Sequence, residues 1–190
     1  MDINTTYATF GKWFIKGPGR PGYKRIIDRW LLLHVAVGVI CACLSQGTTA
    51  QEIANKVIIP LTGLLIALGF SLAGSMQSLL LSNEIEKLSD RVSGGISTYI
   101  FIYQLGVLLL LVSVVTGGLF GIGVFQELCH FLAKLLELRD FSTKALEFLA
   151  KIILFFLSSL SIRTSWHLFK MTSLLMQSKF IIRKHQNMKS

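Results

Sequence analysis

Charge is what this chain has least of: 15% of its 190 residues are Asp, Glu, Lys or Arg, while 52% are hydrophobic. Soluble domains carry about a quarter charged residues and have no apolar runs of bilayer length, so this composition excludes an ordinary water-soluble enzyme. Cysteine is scarce as well. Cys41, Cys43 and Cys129 have no metal-ligand spacing, and Cys41 and Cys43, two apart on a helix, face different directions; they read as small apolar residues. No pair of carboxylates sits in an apolar setting, no glycine-rich loop has the phosphate-cradling pattern, and no His/Cys cluster has ligand spacing. Hydrolase chemistry, a resident metal and an organic cofactor are therefore not expected. The apolar runs hold no Asp or Glu, which argues against a proton-coupled carrier relay. A cleavable signal peptide is not expected either: the basic leading segment is too long, and the first apolar run lacks a clear cleavage site.

What is present is apolar length and an uneven distribution of cations. Four runs approach or reach the ~17–25 apolar residues that a bilayer demands: about Trp30–Gln46, Val57–Gly74, Thr98–Val115 and, shortest, Ile152–Ile162. Of 19 Lys and Arg, six precede Trp30 and six follow Ser161, leaving seven for the long middle. Clustering at the two ends fits membrane topology and anionic lipid better than a nucleic-acid face. The expected fold is all-α: a polytopic membrane protein with about four transmembrane helices. Both basic ends are expected in the cytoplasm.

Along the chain, residues 1–24 form an N-terminal segment in which Tyr7, Phe10 and Phe14 fall at helical spacing beside Trp13, Lys12 and Lys16. Such a stretch either lies in the membrane interface or docks on the protein's own cytoplasmic face. Gly17–Gly22, with two prolines, is a hinge. Residues 25–162 form the membrane domain, with a cytoplasmic helical arm at 77–93. Pro60 is expected in the first turn of the second span, where proline is tolerated. Gln104 is the one amide of the third span, and Gly117–Gly123 is expected to dissolve that helix's end. Residues 126–138 form an amphipathic helix on the far side, and Ser142 or Asp140 can cap the last helix. That helix continues without Pro or Gly to about Lys184, so residues 163–190 form a basic cytoplasmic extension.

Three groups of residues carry functional expectations. Trp30, His34, Val37 and Cys41 share one side of the first span, with Gly38 and Ser45 close by, and Arg29 stands at its mouth. An ionisable His34 inside the bilayer edge normally faces protein or water. In a ring of copies this stripe lines a pore, with Val37 as a dewetting constriction. Otherwise the same face packs inside a four-helix bundle, with Gly38 allowing close approach. Gly63, Ala67, Ser71 and Ser75 form a small-residue ladder of the kind found at intramembrane helix contacts. Arg163 and His167 share a face at the cytoplasmic end of the last span; they read as a snorkelling arginine beside a surface histidine, or as a basic binding site.

Arg29 and His34 also have the R-x4-H form of HEPN ribonucleases, although a five-residue offset sets two side chains of one helix roughly 140° apart. Length, this pair and the several spans together resemble the membrane accessory protein of type VI-B CRISPR loci. The resemblance implies a ring-like homo-oligomer in the lipid bilayer, whose pore depolarises the bacterial inner membrane in antiviral defence. The implied partner is an RNA-guided RNase effector or its RNA products, and Arg29 and His34 are the motif residues. Two further readings stay open. One is a membrane-anchored ribonuclease using Arg29 and His34, or a helical domain of residues 77–92 and 163–190; the other is a non-catalytic membrane adaptor whose long C-terminal helix recruits a soluble partner.

Overall fold

Long apolar stretches without carboxylates leave the backbone to satisfy its own hydrogen bonds, and in this chain they do so as helices. The computed structural model describes residues 10–16, 22–80, 95–135 and 141–188, and among these the regular structure is entirely helical. In chain order the elements are α1 (Phe10–Lys16), α2 (Gly22–Ile26), α3 (Arg29–Leu44), α4 (Ala50–Ile53) and a π-helical turn (Ala54–Ile58). They continue with α5 (Ile59–Leu80), α6 (Gly95–Gly121), α7 (Val124–Leu135) and α8 (Phe141–Asn187). Three helical stretches are long and apolar enough to cross a membrane: Ala50–Met76, Tyr99–Gly121 and Lys144–Lys184. The sequence pattern suggests four. α3 has 16 residues, about 24 Å at 1.5 Å per residue, short of a ~30 Å hydrocarbon core.

The chain divides into two compact units. One comprises Arg29–Ile66 and Leu109–Thr164. Its core gathers Ala50, Ile53, Ala54, Ile58, Phe120, Ala150 and Leu154, with Phe125 and Phe155 packed against them. Thr49 starts α4 with a capping box: its hydroxyl accepts the Glu52 N–H, and the Glu52 carboxylate accepts the Thr49 N–H. The polar loop before the second apolar run is thus a helix start, and the helical run begins at Ala50. Pro60 accordingly lies inside a continuous helical stretch, not in its first turn. A proline ring clashes with the carbonyl four residues back and cannot donate. Here the Ala54–Ile58 turn widens, and the Ile59 N–H reaches back to the Ala54 carbonyl. Such single π turns accommodate this kind of interruption.

The glycine run Gly117–Gly123 also departs from expectation: α6 stays helical to Gly121, and the chain turns only at Gly123, where φ is +82°. Packing explains it. A Cβ at Gly121 would meet the Asn55 side-chain oxygen at 2.5 Å, and one at Gly117 would meet the Ile58 side chain at 3.2 Å. Bare backbone lets the helices close up, which outweighs the intrinsic ~1 kcal/mol helix cost of glycine. The Asn55 and Gln51 amides both donate to the Gly121 carbonyl, at 2.9 and 3.2 Å. The two amides thereby satisfy one helix-end carbonyl, which has no partner of its own within the helix.

The other unit comprises Met1–Asp28, Ala67–Leu108 and Ser165–Ser190. Met76, Leu79 and Leu175 form its core, with Tyr99, Tyr103 and Met171 against them. The Tyr103 hydroxyl donates to the Gly69 carbonyl, and a Cβ at Gly106 would meet Leu168 at 2.8 Å. α1 docks on its own chain: Trp13 is 1% exposed, its ring 5.7 Å from that of Phe101. Gly22 presses on Trp13 and Phe14, where a Cβ would come within 2.6 Å of the indole. Of the two placements open for this segment, the docked one is found for Phe10–Lys16. The arm from Leu81 to Gly94 and the cap at Asp140 lie outside the described residues.

Candidate functional site

The stripe on α3 can now be placed. His34, Gly38 and Ala42 are buried and recur every fourth residue, so they form a line down one face. That line packs on α8. A Cβ at Gly38 would stand 2.9 Å from the Ile152 carbonyl oxygen and 3.3 Å from the Phe156 side chain. His34 is 4% exposed, and its Nδ1 lies 2.7 Å from the Ser159 hydroxyl. A polar ring in an apolar bundle is thus hydrogen-bonded across helices, as burial demands. Of the two placements open for this face, a ring lumen or a contact inside a bundle, the described chain shows a helix contact: the imidazole is turned onto α8. Trp30, Val37 and Cys41 flank the packed line, with Val37 and Cys41 half-buried and Trp30 57% exposed. The opposite face of α3 is aliphatic and exposed at Leu32, Val35, Val39 and Ile40, as a lipid-facing side is.

Around this contact the unit carries a small polar core. The Ser161 hydroxyl donates to that of Ser113 at 2.7 Å, and Ser113 donates to the Leu109 carbonyl at 2.9 Å. Thr62 and Ser158 donate back to Ile58 and Leu154, each four residues earlier. The Ser161–Ser113 bond ties α8 to α6, while the back-bonds to the preceding turn satisfy the other hydroxyls within their own helices. At the other end of α3, the Lys151 ammonium reaches the Ser45 carbonyl at 3.4 Å. A cation there suits the negative end of the α3 dipole.

Arg29 is exposed in the first turn of α3. The Arg163 guanidinium sits over the Trp30 ring at 5.7 Å, within cation–π range. His167 is exposed one turn further along α8. The structure therefore joins Arg163 to Trp30, a pairing of residues 133 apart that no sequence spacing signals. Arg29 and His34 are separated by depth: one is exposed and the other enclosed. Of the small-residue ladder on α5, Gly63, Ala67 and Ser71 are exposed and Ser75 is half-buried. Nothing lies within 4 Å of a Cβ at Gly63.

Sequence reasoning missed Ser159, Ser113 and Ser161, and it missed the outer face of α8. There Trp166, Phe169, Met176 and Phe180 are exposed on the side opposite Leu168, Thr172 and Leu175, which are buried. The spacing of these residues was available in the sequence; which of two apolar lines is packed was not. Among the described residues no three His, Cys, Asp or Glu side chains come together to hold a metal. No protein-family model matches the chain, and no curated protein or solved structure shows significant similarity to it.

Proposed function

We propose that the chain is a non-catalytic membrane adaptor, anchored by its apolar helices and holding a soluble partner with the basic end of α8. The observation that carries this reading is the length of α8. Its 47 residues span about 70 Å at 1.5 Å per residue, against about 40–45 Å for a bilayer with its headgroups. Lys151 and Arg163 bound its uncharged stretch, and a cation at the bilayer centre costs about 2.5–3.5 kcal/mol even on the lenient scales. Centring the bilayer between them leaves the residues beyond about 172 clear of the headgroups on the Lys179–Lys184 side. The cations at 179, 183 and 184 favour the cytoplasm for that side. The test is reversal of Lys179, Arg183 and Lys184 to Glu in the full chain. We expect the variant to reach the membrane but lose its co-isolating soluble partner, and the purified protein to show no step conductance in a planar bilayer. Unchanged co-isolation, or robust conductance, contradicts the reading.

A second reading is favoured by one observation, the exposure of the small residues Gly63, Ala67 and Ser71 on α5, a pattern that suits close packing of membrane helices. It is the self-assembling pore of antiviral defence that the CRISPR resemblance implies, with an RNA-guided RNase effector upstream. In it, Trp30, Val37 and Cys41 line the conduit and Arg29 marks its mouth, while His34 serves the α3–α8 contact. Gly63→Leu with Ala67→Leu then reduces the particle to single subunits and abolishes dye entry. A particle mass unaffected by both changes removes this reading. The ribonuclease reading draws nothing from the geometry, because an enclosed His34 at a membrane helix contact offers RNA no proton exchange.

A further inference from the structure

α8 carries two parallel apolar lines. The first, Leu168, Thr172 and Leu175, is buried in its own unit. The second is Trp166, Phe169, Met176 and Phe180, which are 63%, 47%, 52% and 71% exposed. Ser173 occupies the step between Phe169 and Met176, so the second line advances by three, four, three and four residues. That is the seam of a coiled coil, whose a and d positions meet a partner helix. Trp166 and Phe169 stack at 5.7 Å, making one end of the seam a flat aromatic platform of the kind that anchors interfaces. The seam is bordered by cations: Lys170, Arg183 and Lys184 are exposed and Lys179 is half-buried. Beyond Glu147 the sequence contains no Asp or Glu.

We propose that this seam seats an acidic amphipathic helix presented by a soluble protein. The inference rests on the adaptor reading and specifies its partner. Charge selects among the occupants. A second copy of α8 would set lysine and arginine against lysine and arginine along both borders, and like charges at flanking positions disfavour pairing. Glutamates at those positions of a partner complement them. Headgroups could account for Trp166 and Phe169, and seating of Met176 and Phe180 in lipid is the alternative that the quenching experiment below decides.

The experiment uses the full chain in phosphatidylcholine nanodiscs and two synthetic 28-residue helical peptides sharing Leu/Ile a and d positions. One has Glu at the e and g positions and the other Lys. We expect the Glu peptide to bind and the Lys peptide not to. Binding should weaken as salt rises, because the flanking pairs are exposed. Phe180→Asp should weaken it by about tenfold or more, the usual consequence of removing an aromatic anchor. Leu174→Ser, on the helix but off the seam, should leave it unchanged. Equal binding of both peptides, no binding of either, or indifference to Phe180→Asp overturns the proposal. Phe180→Cys cross-linking between copies, or quenching of a Trp placed at 180 by brominated lipid, likewise overturns it in favour of self-pairing or membrane. If the Lys179/Arg183/Lys184 reversal still releases the native partner while the peptides fail, the adaptor reading stands and only the acidic seam falls.

Discussion

At the scale of single residues, close approach decides more than polarity. Gly38 and Gly63 are both glycines in apolar helices, and nothing local tells them apart. A Cβ at Gly38 runs into a backbone oxygen, whereas at Gly63 it meets open space. Gly38→Ala should therefore destabilise the protein by about 1–3 kcal/mol, the range for overpacking against an unyielding backbone. Gly63→Ala should be neutral or stabilising by up to about 1 kcal/mol through helix propensity. Unfolding in mild detergent, followed by circular dichroism, checks both; equal effects at the two sites would contradict the packing. His34→Ala should cost about 1 kcal/mol for the Ser159 hydrogen bond, on top of the cavity it leaves, and Ser159→Ala should add little more once His34 is gone. His34 could be read in the sequence as a residue that must face protein or water. Ser159 could not, since its partner is 125 positions away.

At the scale of elements, apolar run length correctly signalled helices, while their ends were set by contacts made far along the chain. Gly117–Gly123 looked too glycine-rich to stay helical, yet the Asn55 and Gln51 amides on the Gly121 carbonyl hold the helix to that point. Pro60 looked like a helix start, yet Thr49 and its capping box begin the helix ten residues earlier, and a π turn absorbs the ring. The lock between Asn55 and Gly121 predicts non-additivity. Gly121→Ala should be costly in the native chain, where the new Cβ strikes the Asn55 amide. It should be milder by about 0.5–3 kcal/mol when Asn55 is already Ala, the size of coupling seen between touching residues. Additive single and double variants, measured by thermal unfolding, would mean that the two elements do not touch as described. α1 shows a related limit: its spacing of Phe10, Trp13 and Phe14 suits either lipid or protein, and Phe101, far along the chain, decides for protein.

At the scale of the whole molecule, the sequence makes legible an all-helical chain with stretches long and apolar enough to cross a membrane, because bilayers demand long uncharged helices. Three of four apolar runs become helices of crossing length, and the fourth, α3, stops at 16 residues. The side of α3 that packs was not legible: periodicity draws the line through His34 and Gly38 but does not say whether a sister copy or α8 covers it. The functional account depends on α8 leaving the bilayer with apolar side chains still exposed. A cysteine-free chain carrying single spin labels at 158, 162, 169, 176, 180 and 184, reconstituted in vesicles, gives the depth of each position from oxygen and aqueous-relaxant accessibility. The account predicts oxygen-dominated, lipid-like values at 158 and 162, a crossover near 169, and aqueous values at 176, 180 and 184. Lipid-like values continuing through 180 would contradict it, placing the seam in the membrane and leaving no aqueous surface for a soluble partner.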